Sequence, residues 1–119
     1  MKTKEFKQLN KRVITWAAEK GILEKATPLT QMNKTLEEVK ETEEALFAQS
    51  NKLTHYKNSK GELKNTKDEL FDGFGDSLVT ILIGCELQNI NPLEALESAL
   101  NIIEKRTGKI INGTFVKDE

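Results

Sequence analysis

The chain has 119 residues, 37% of them hydrophobic and 31% charged, which fits one globular domain with one core and excludes a disordered chain. Gly 7 and Pro 2 supply little turn material, so long helices are favoured over a sandwich or barrel. Lys+Arg 18 against Asp+Glu 19 leaves a net charge of -1, and one Cys with one His excludes a Cys/His zinc site, so any chemistry falls to carboxylates.

The first predicted helix runs from about Thr3 to Lys20. Phe6, Leu9, Val13, Trp16 and Ala17 recur at three- and four-residue spacing, and Gly21 follows as a stop. The second starts at Thr27-Pro28, a cap and a first-turn proline, and ends near Ser50-Asn51. Its expected core stripe is Leu29, Met32, Leu36, Val39 and Leu46, with Glu43 falling on the same stripe. Residues 52–65 are polar and non-periodic, and read as a mobile connection of the kind that often serves as a lid.

Thr66-Lys67-Asp68-Glu69 reads as a capping box opening a third helix that reaches about Asn89. Its Leu78–Ile83 run is apolar nearly all round, as in a helix central to its bundle or covered by another subunit. Asn91-Pro92-Leu93-Glu94 opens the fourth helix with a second box. Leu93, Leu96, Leu100 and Ile103 form its expected buried stripe, Lys105 and Arg106 its last turn, and Gly108 its end. The Asn112-Gly113 pair sits between apolar residues and predicts a turn that folds the tail back as a short extended arm. The expected fold is all-α: an antiparallel four-helix bundle-like domain over 1–119 with that arm at its C-terminus.

Two acidic groups stand out. The second helix carries Glu37, Glu38, Glu41, Glu43 and Glu44. At 100° per residue Glu37, Glu41 and Glu44 share a ridge, which reads equally as a solvated face. On the third helix, Asp72 and Asp76 share a face with Val79 and Ile83, so carboxylates stand at the mouth of an apolar stripe. Paired, poorly solvated carboxylates require a cation. Lysine or arginine can supply it, and so can Mg²⁺ or Mn²⁺, which suit hard oxygen donors. Gly73 and Gly75 in the same helix admit either a ligand or a closely packed helix.

Glu37-Glu38-Val39-Lys40-Glu41 reads EExxE. Glu69-Leu70-Phe71-Asp72 reads ExxD, Gly75-Asp76 follows, and the tail runs Gly108-Lys109 to Asn112-Gly113-Thr114-Phe115. In this order, from about Trp16 to the end, the chain resembles the MazG-like all-α nucleoside triphosphate pyrophosphohydrolases, especially their short single-domain phage and bacterial type. The resemblance implies Mg²⁺ held by both acidic motifs, and hydrolysis of a nucleoside triphosphate between the α and β phosphorus. Glu38 and Glu41 would be ligands from the second helix, Glu37 a ligand or the base that orients water, and Asp76 a ligand from the third. The sequence departs from the pattern at Gly73, where many members carry Glu. Either Asp72 stands in beside Asp76, or Glu69 and Asp72 form the pair; the shared face favours Asp72 with Asp76.

Asn101 matches a family position that contacts nucleotide. The neighbouring family lysine is replaced by Glu104, leaving Lys105, Arg106 and Lys109 as phosphate contacts or as solvated cations. Trp16 has two readings, core residue or base-stacking ring. The expected protein is a cytoplasmic, Mg²⁺-dependent nucleotide pyrophosphohydrolase, forming a homodimer or homotetramer. It has no membrane segment, since no run reaches about 18 apolar residues, and no nucleic acid polymer as partner. The alternative is a non-catalytic helical module that binds nucleotide or protein.

Overall fold

The computed structural model describes residues 3–118. Met1 and Lys2, which begin the predicted domain, and Glu119, which ends it, lie outside them. Among the described residues five helices dominate, with two small antiparallel sheets. None of the described helices is long and apolar enough to cross a membrane. The chain divides into two compact units, one ending at Asn89 and the other beginning at Ile90.

The first unit holds α1 (Thr3–Glu19), α2 (Ile22–Lys25), α3 (Pro28–Ser50), β1 (His55–Lys57), β2 (Leu63–Asn65) and α4 (Thr66–Leu87). Gly21, at φ 77°, turns the chain from α1 into the short α2. Thr27 caps α3 as expected: its Oγ1 accepts from the Thr30 N–H at 3.1 Å, and Thr30 Oγ1 accepts from the Thr27 N–H at 2.9 Å.

Residues 52–65 are not an unstructured connection. β1 and β2 pair antiparallel with Tyr56 opposite Lys64. Asn58 organises the bend, its Oδ1 accepting from the Lys60 and Glu62 N–H groups at 3.0 and 2.9 Å, while Gly61 takes φ 78°. A side-chain amide thus does what a hairpin dipeptide does elsewhere. The cap of α4 also differs from the predicted box. Asn65 Oδ1 accepts from the Asp68 N–H at 3.0 Å, and Thr66 instead donates its hydroxyl to the Leu53 carbonyl at 2.7 Å.

The core is the main correction. The stripe of Leu29, Met32, Leu36, Val39 and Leu46 is exposed, Leu29 to 77%. The buried face of α3 is instead Gln31, Thr35, Thr42, Ala45 and Ala48, against Gly73, Ser77, Thr80 and Ile83 of α4. Gln31 meets Thr80 while Thr42 meets Gly73, so the two helices run antiparallel. Small side chains let the backbones approach closely. A Cβ on Gly73 would run into the Thr42 hydroxyl, whereas one on Gly75 would meet nothing within 4 Å. Gly73 is therefore there for helix packing.

The second unit holds α5 (Pro92–Ile103), β3 (Gly108–Ile111) and β4 (Thr114–Lys117). Asn91 caps α5, its Oδ1 accepting from the Leu93 and Glu94 N–H groups at 2.9 and 3.2 Å. The helix ends at Ile103 with Glu104 as its C-cap, so Lys105 and Arg106 follow it and do not form its last turn. Leu96, Leu100 and Ile103, expected to be buried, are exposed. The predicted fold-back of the tail is present as a hairpin, with Ile111 opposite Thr114. Asn112 and Gly113 both take positive φ, 51° and 79°, as the two central residues of a type I′ turn require.

Candidate functional site

Two hollows in the first unit collect five of the acidic residues of α3 and α4: Glu38 and Asp76 in one, Glu41, Glu44 and Glu69 in the other. The larger, about 310 Å³, is lined by Trp16 of α1, Ile22 of α2, Gln31, Lys34 and Glu38 of α3, and Asp76, Val79, Thr80 and Ile83 of α4. The smaller, about 180 Å³, lies where the β1–β2 hairpin meets α3 and α4, and is lined by Glu41, Glu44, Tyr56, Lys60 and Glu69 among others.

The larger cavity joins three of the predicted site residues: Trp16, Glu38 and Asp76. The antiparallel register of α3 and α4 brings this about, since Glu38 and Asp76 lie in the same direction from the Gln31–Thr80 contact. Glu38 is the most enclosed of the ion-paired carboxylates, its side chain 15% exposed. Burial raises its pKa, the charges of Glu41 and Asp76 raise it further, and Lys34 opposes them. Lys34 Nζ lies 3.4 Å from both Glu37 and Glu38. Burial lowers the pKa of Lys34, but the two glutamates outweigh it and the net shift is upward.

The other predicted residues lie apart. Glu37 is paired with Lys34 and, at 3.6 Å, with Lys60 of the hairpin. Glu41 stands in the smaller cleft, where Lys60 Nζ donates to it at 3.0 Å. Glu69 lines that same cleft and pairs with Lys64 at 3.9 Å. Tyr56 between them has its pKa raised by burial and by Glu69, Glu44 and Glu41. Asp72 is exposed and lines neither hollow. Asn101 of α5, Lys105 and Arg106 after it, and Lys109 of β3 belong to the second unit, where all four are exposed.

Among the described residues no three Asp, Glu, His or Cys side chains form a ready metal cage. The donor chemistry nevertheless suits a hard divalent cation. The charges of Glu41 and Asp76 act on Glu38, and the exposed Lys34 and Lys60 pair with Glu38 and Glu41. Lys34 was legible from its place three and four residues before Glu37 and Glu38. Lys60 and Tyr56 were not, because nothing in their neighbourhood has a period that places them against α3.

Comparisons with protein-family models, with curated proteins and with solved structures give no match to this chain.

Proposed function

We propose that this chain is a divalent-metal-dependent nucleoside triphosphate pyrophosphohydrolase of the MazG-like type. The observation that carries the reading is the larger cavity. It gathers an aromatic ring, an apolar wall and two carboxylates that stand 38 positions apart in the chain, Glu38 and Asp76. Aromatic and apolar surface suits a nucleobase, and clustered carboxylates suit the metal that accompanies a triphosphate.

In this reading Glu38, Glu41 and Asp76 hold Mg²⁺ or Mn²⁺, with Glu37 at their edge. The metal supplies neutralisation of phosphate charge and activation of water. Water attacks the α phosphorus, the bond to the bridging oxygen breaks, and the products are nucleoside monophosphate and pyrophosphate. Glu37, at the edge of that set, is the residue placed to accept the proton of the attacking water. Lys34 and Lys60 balance the carboxylates in the free protein and are free to turn to phosphate when the metal binds.

The same reading includes an antiparallel four-helix bundle and a homodimer or homotetramer. The exposed apolar stripes of α3 and α4 support the oligomer: Leu29, Met32, Leu36 and Val39 on one helix, Phe71, Phe74, Leu78 and Ile81 on the other.

The test is pyrophosphate release from a panel of ribo- and deoxyribonucleoside triphosphates with Mg²⁺. The expected result is metal-dependent release that Glu38→Gln lowers by 100-fold or more. Release from no nucleotide, or release indifferent to Glu38→Gln, overturns the reading. One observation favours a second reading, a binding module without turnover: Gly73, where the family carries a ligand, is filled by its contact with Thr42. That reading expects a non-hydrolysable triphosphate to raise the melting temperature without any pyrophosphate release.

A further inference from the structure

The β1–β2 hairpin forms one wall of the smaller hollow and has its own internal bonding. At its base the Thr66 N–H donates to the Thr54 carbonyl at 2.9 Å, and the Thr66 hydroxyl donates to the Leu53 carbonyl at 2.7 Å. Thr66 itself is buried. At the bend, Asn58 Oδ1 accepts from the Lys60 and Glu62 N–H groups. The Asn58 N–H donates to the Glu62 carbonyl at 2.9 Å, and Asn58 Nδ2 donates to Glu62 Oε1 at 3.1 Å. None of these bonds involves α3.

What joins the bend to α3 is charge. Asn58-Ser59-Lys60-Gly61-Glu62 carries no apolar side chain to bury. Lys60 Nζ lies 3.0 Å from Glu41 and 3.6 Å from Glu37. The Ser59 N–H reaches Glu44 Oε2 at 3.5 Å, which is long for a hydrogen bond. Lys60 is 58% exposed, so water and salt compete for it and its pairs hold weakly. The hairpin thus has a firm hinge at Thr66 and a weak clasp at Lys60. The clasp closes on a carboxylate with a second claim on it, since Glu41 belongs to the set proposed above to hold a divalent metal. A doubly charged ion on the Glu41 oxygens attracts them more strongly than an ammonium does, and it repels that ammonium.

We infer that the β1–β2 hairpin is a lid on the smaller hollow, latched by the pairs of Lys60 with Glu41 and Glu37, and that a divalent metal on Glu41 releases the latch. After release the bend keeps only its long Ser59–Glu44 contact with α3. A two-stranded hairpin without support is marginal in water, so the unlatched bend frays and its amides exchange faster. The metal therefore loosens the hairpin while it stabilises the helices that hold it. A ligand that merely stabilises the fold produces no such opposition, because it slows exchange throughout.

The inference rests on the reading that Glu41 helps to hold a divalent metal, and calorimetry of Mg²⁺ and Mn²⁺ binding tests that reading separately. Hydrogen–deuterium exchange reads the lid, at constant ionic strength because exposed ion pairs weaken with salt alone. Saturating metal is expected to speed exchange of the Ser59 to Glu62 amides about two- to fivefold, the range an exposed ion pair supports, while the amides of α3 and α4 slow or hold. Lys60→Gln is expected to show the fast rate without metal and no further change with it. Lys60→Arg keeps the charge and is expected to keep the parent's response. The α3 and α4 amides report, in the same experiment, that both variants fold. Metal that binds without speeding exchange at the bend overturns the lid and leaves the metal reading standing. A Lys60→Gln bend that exchanges at the parent's rate, or that still responds to metal, overturns the lid as well. Binding of neither ion overturns the metal reading and the metal-driven release together.

Discussion

Glu38 sits where burial and charge meet. Its carboxyl is raised by burial and by Glu41 and Asp76 more than Lys34 lowers it. An acid raised in the fold contributes stability below its ordinary pKa and loses that contribution as pH rises through the raised value. The ionised carboxylate therefore weakens the metal-free fold near neutrality. In EDTA, Glu38→Gln is expected to melt higher than the parent at pH 7, with the difference shrinking toward pH 4. Thermal melts across that range check it, and a variant that melts lower than the parent at pH 7 contradicts it. On the proposed metal-dependent reading, Mg²⁺ is expected to reverse the order, because the parent would gain a ligand that the variant holds poorly.

At the scale of elements, α3 and α4 approach through small side chains. Gly73 lies against Thr42, whose Oγ1 donates to the Glu38 carbonyl at 2.8 Å. Gly73→Ala gains about 1 kcal/mol of helix propensity, but the new methyl enters an occupied position, and overpacking costs about 1–3 kcal/mol. Denaturant unfolding is expected to show net destabilisation, partly relieved when Thr42→Ala is added. Full tolerance of Gly73→Ala would mean the helices are free to separate there. In the second unit, Asn91 satisfies two amides of α5, and Asn91→Ala is expected to cost about 1 kcal/mol. Amide exchange of the first turn of α5 reads that loss directly.

For the whole molecule the decisive feature is what remains uncovered. On both α3 and α4 the large apolar residues lie roughly a third of a turn from the buried small ones, at 100° per residue. Each helix thus has two packing faces, and the contact between α3 and α4 uses one. Phe71 is 84% exposed, and large exposed apolar patches mark interaction surfaces. Sedimentation equilibrium is expected to return a multiple of 13.5 kDa, and Leu36→Asp or Phe74→Asp to shift it toward the single chain with a lower melting temperature. A monomeric parent at micromolar concentration contradicts this.

Much of the local structure was written in short-range chemistry. Thr27-Pro28, Asn91-Pro92 and Asn112-Gly113 act within a few residues of themselves, so the start of α3, the start of α5 and the final hairpin follow from the chain alone. The EExxE helix and its acidic partner were legible for the same reason, because spacing on one helix sets which carboxylates are neighbours. Which stripe of α3 is buried was not. The apolar period marks a face that seeks cover, and only the approach of α4 decides that the small, polar face of Gln31, Thr35 and Thr42 is covered first. The hairpin that brings Lys60 to Glu41, and the cavity that joins Trp16, Gln31, Glu38 and Asp76, likewise depend on contacts between distant segments. The sequence determined that carboxylates would carry any chemistry. The tertiary structure decided which of them share a wall with an aromatic ring, because only packing sets the register between helices.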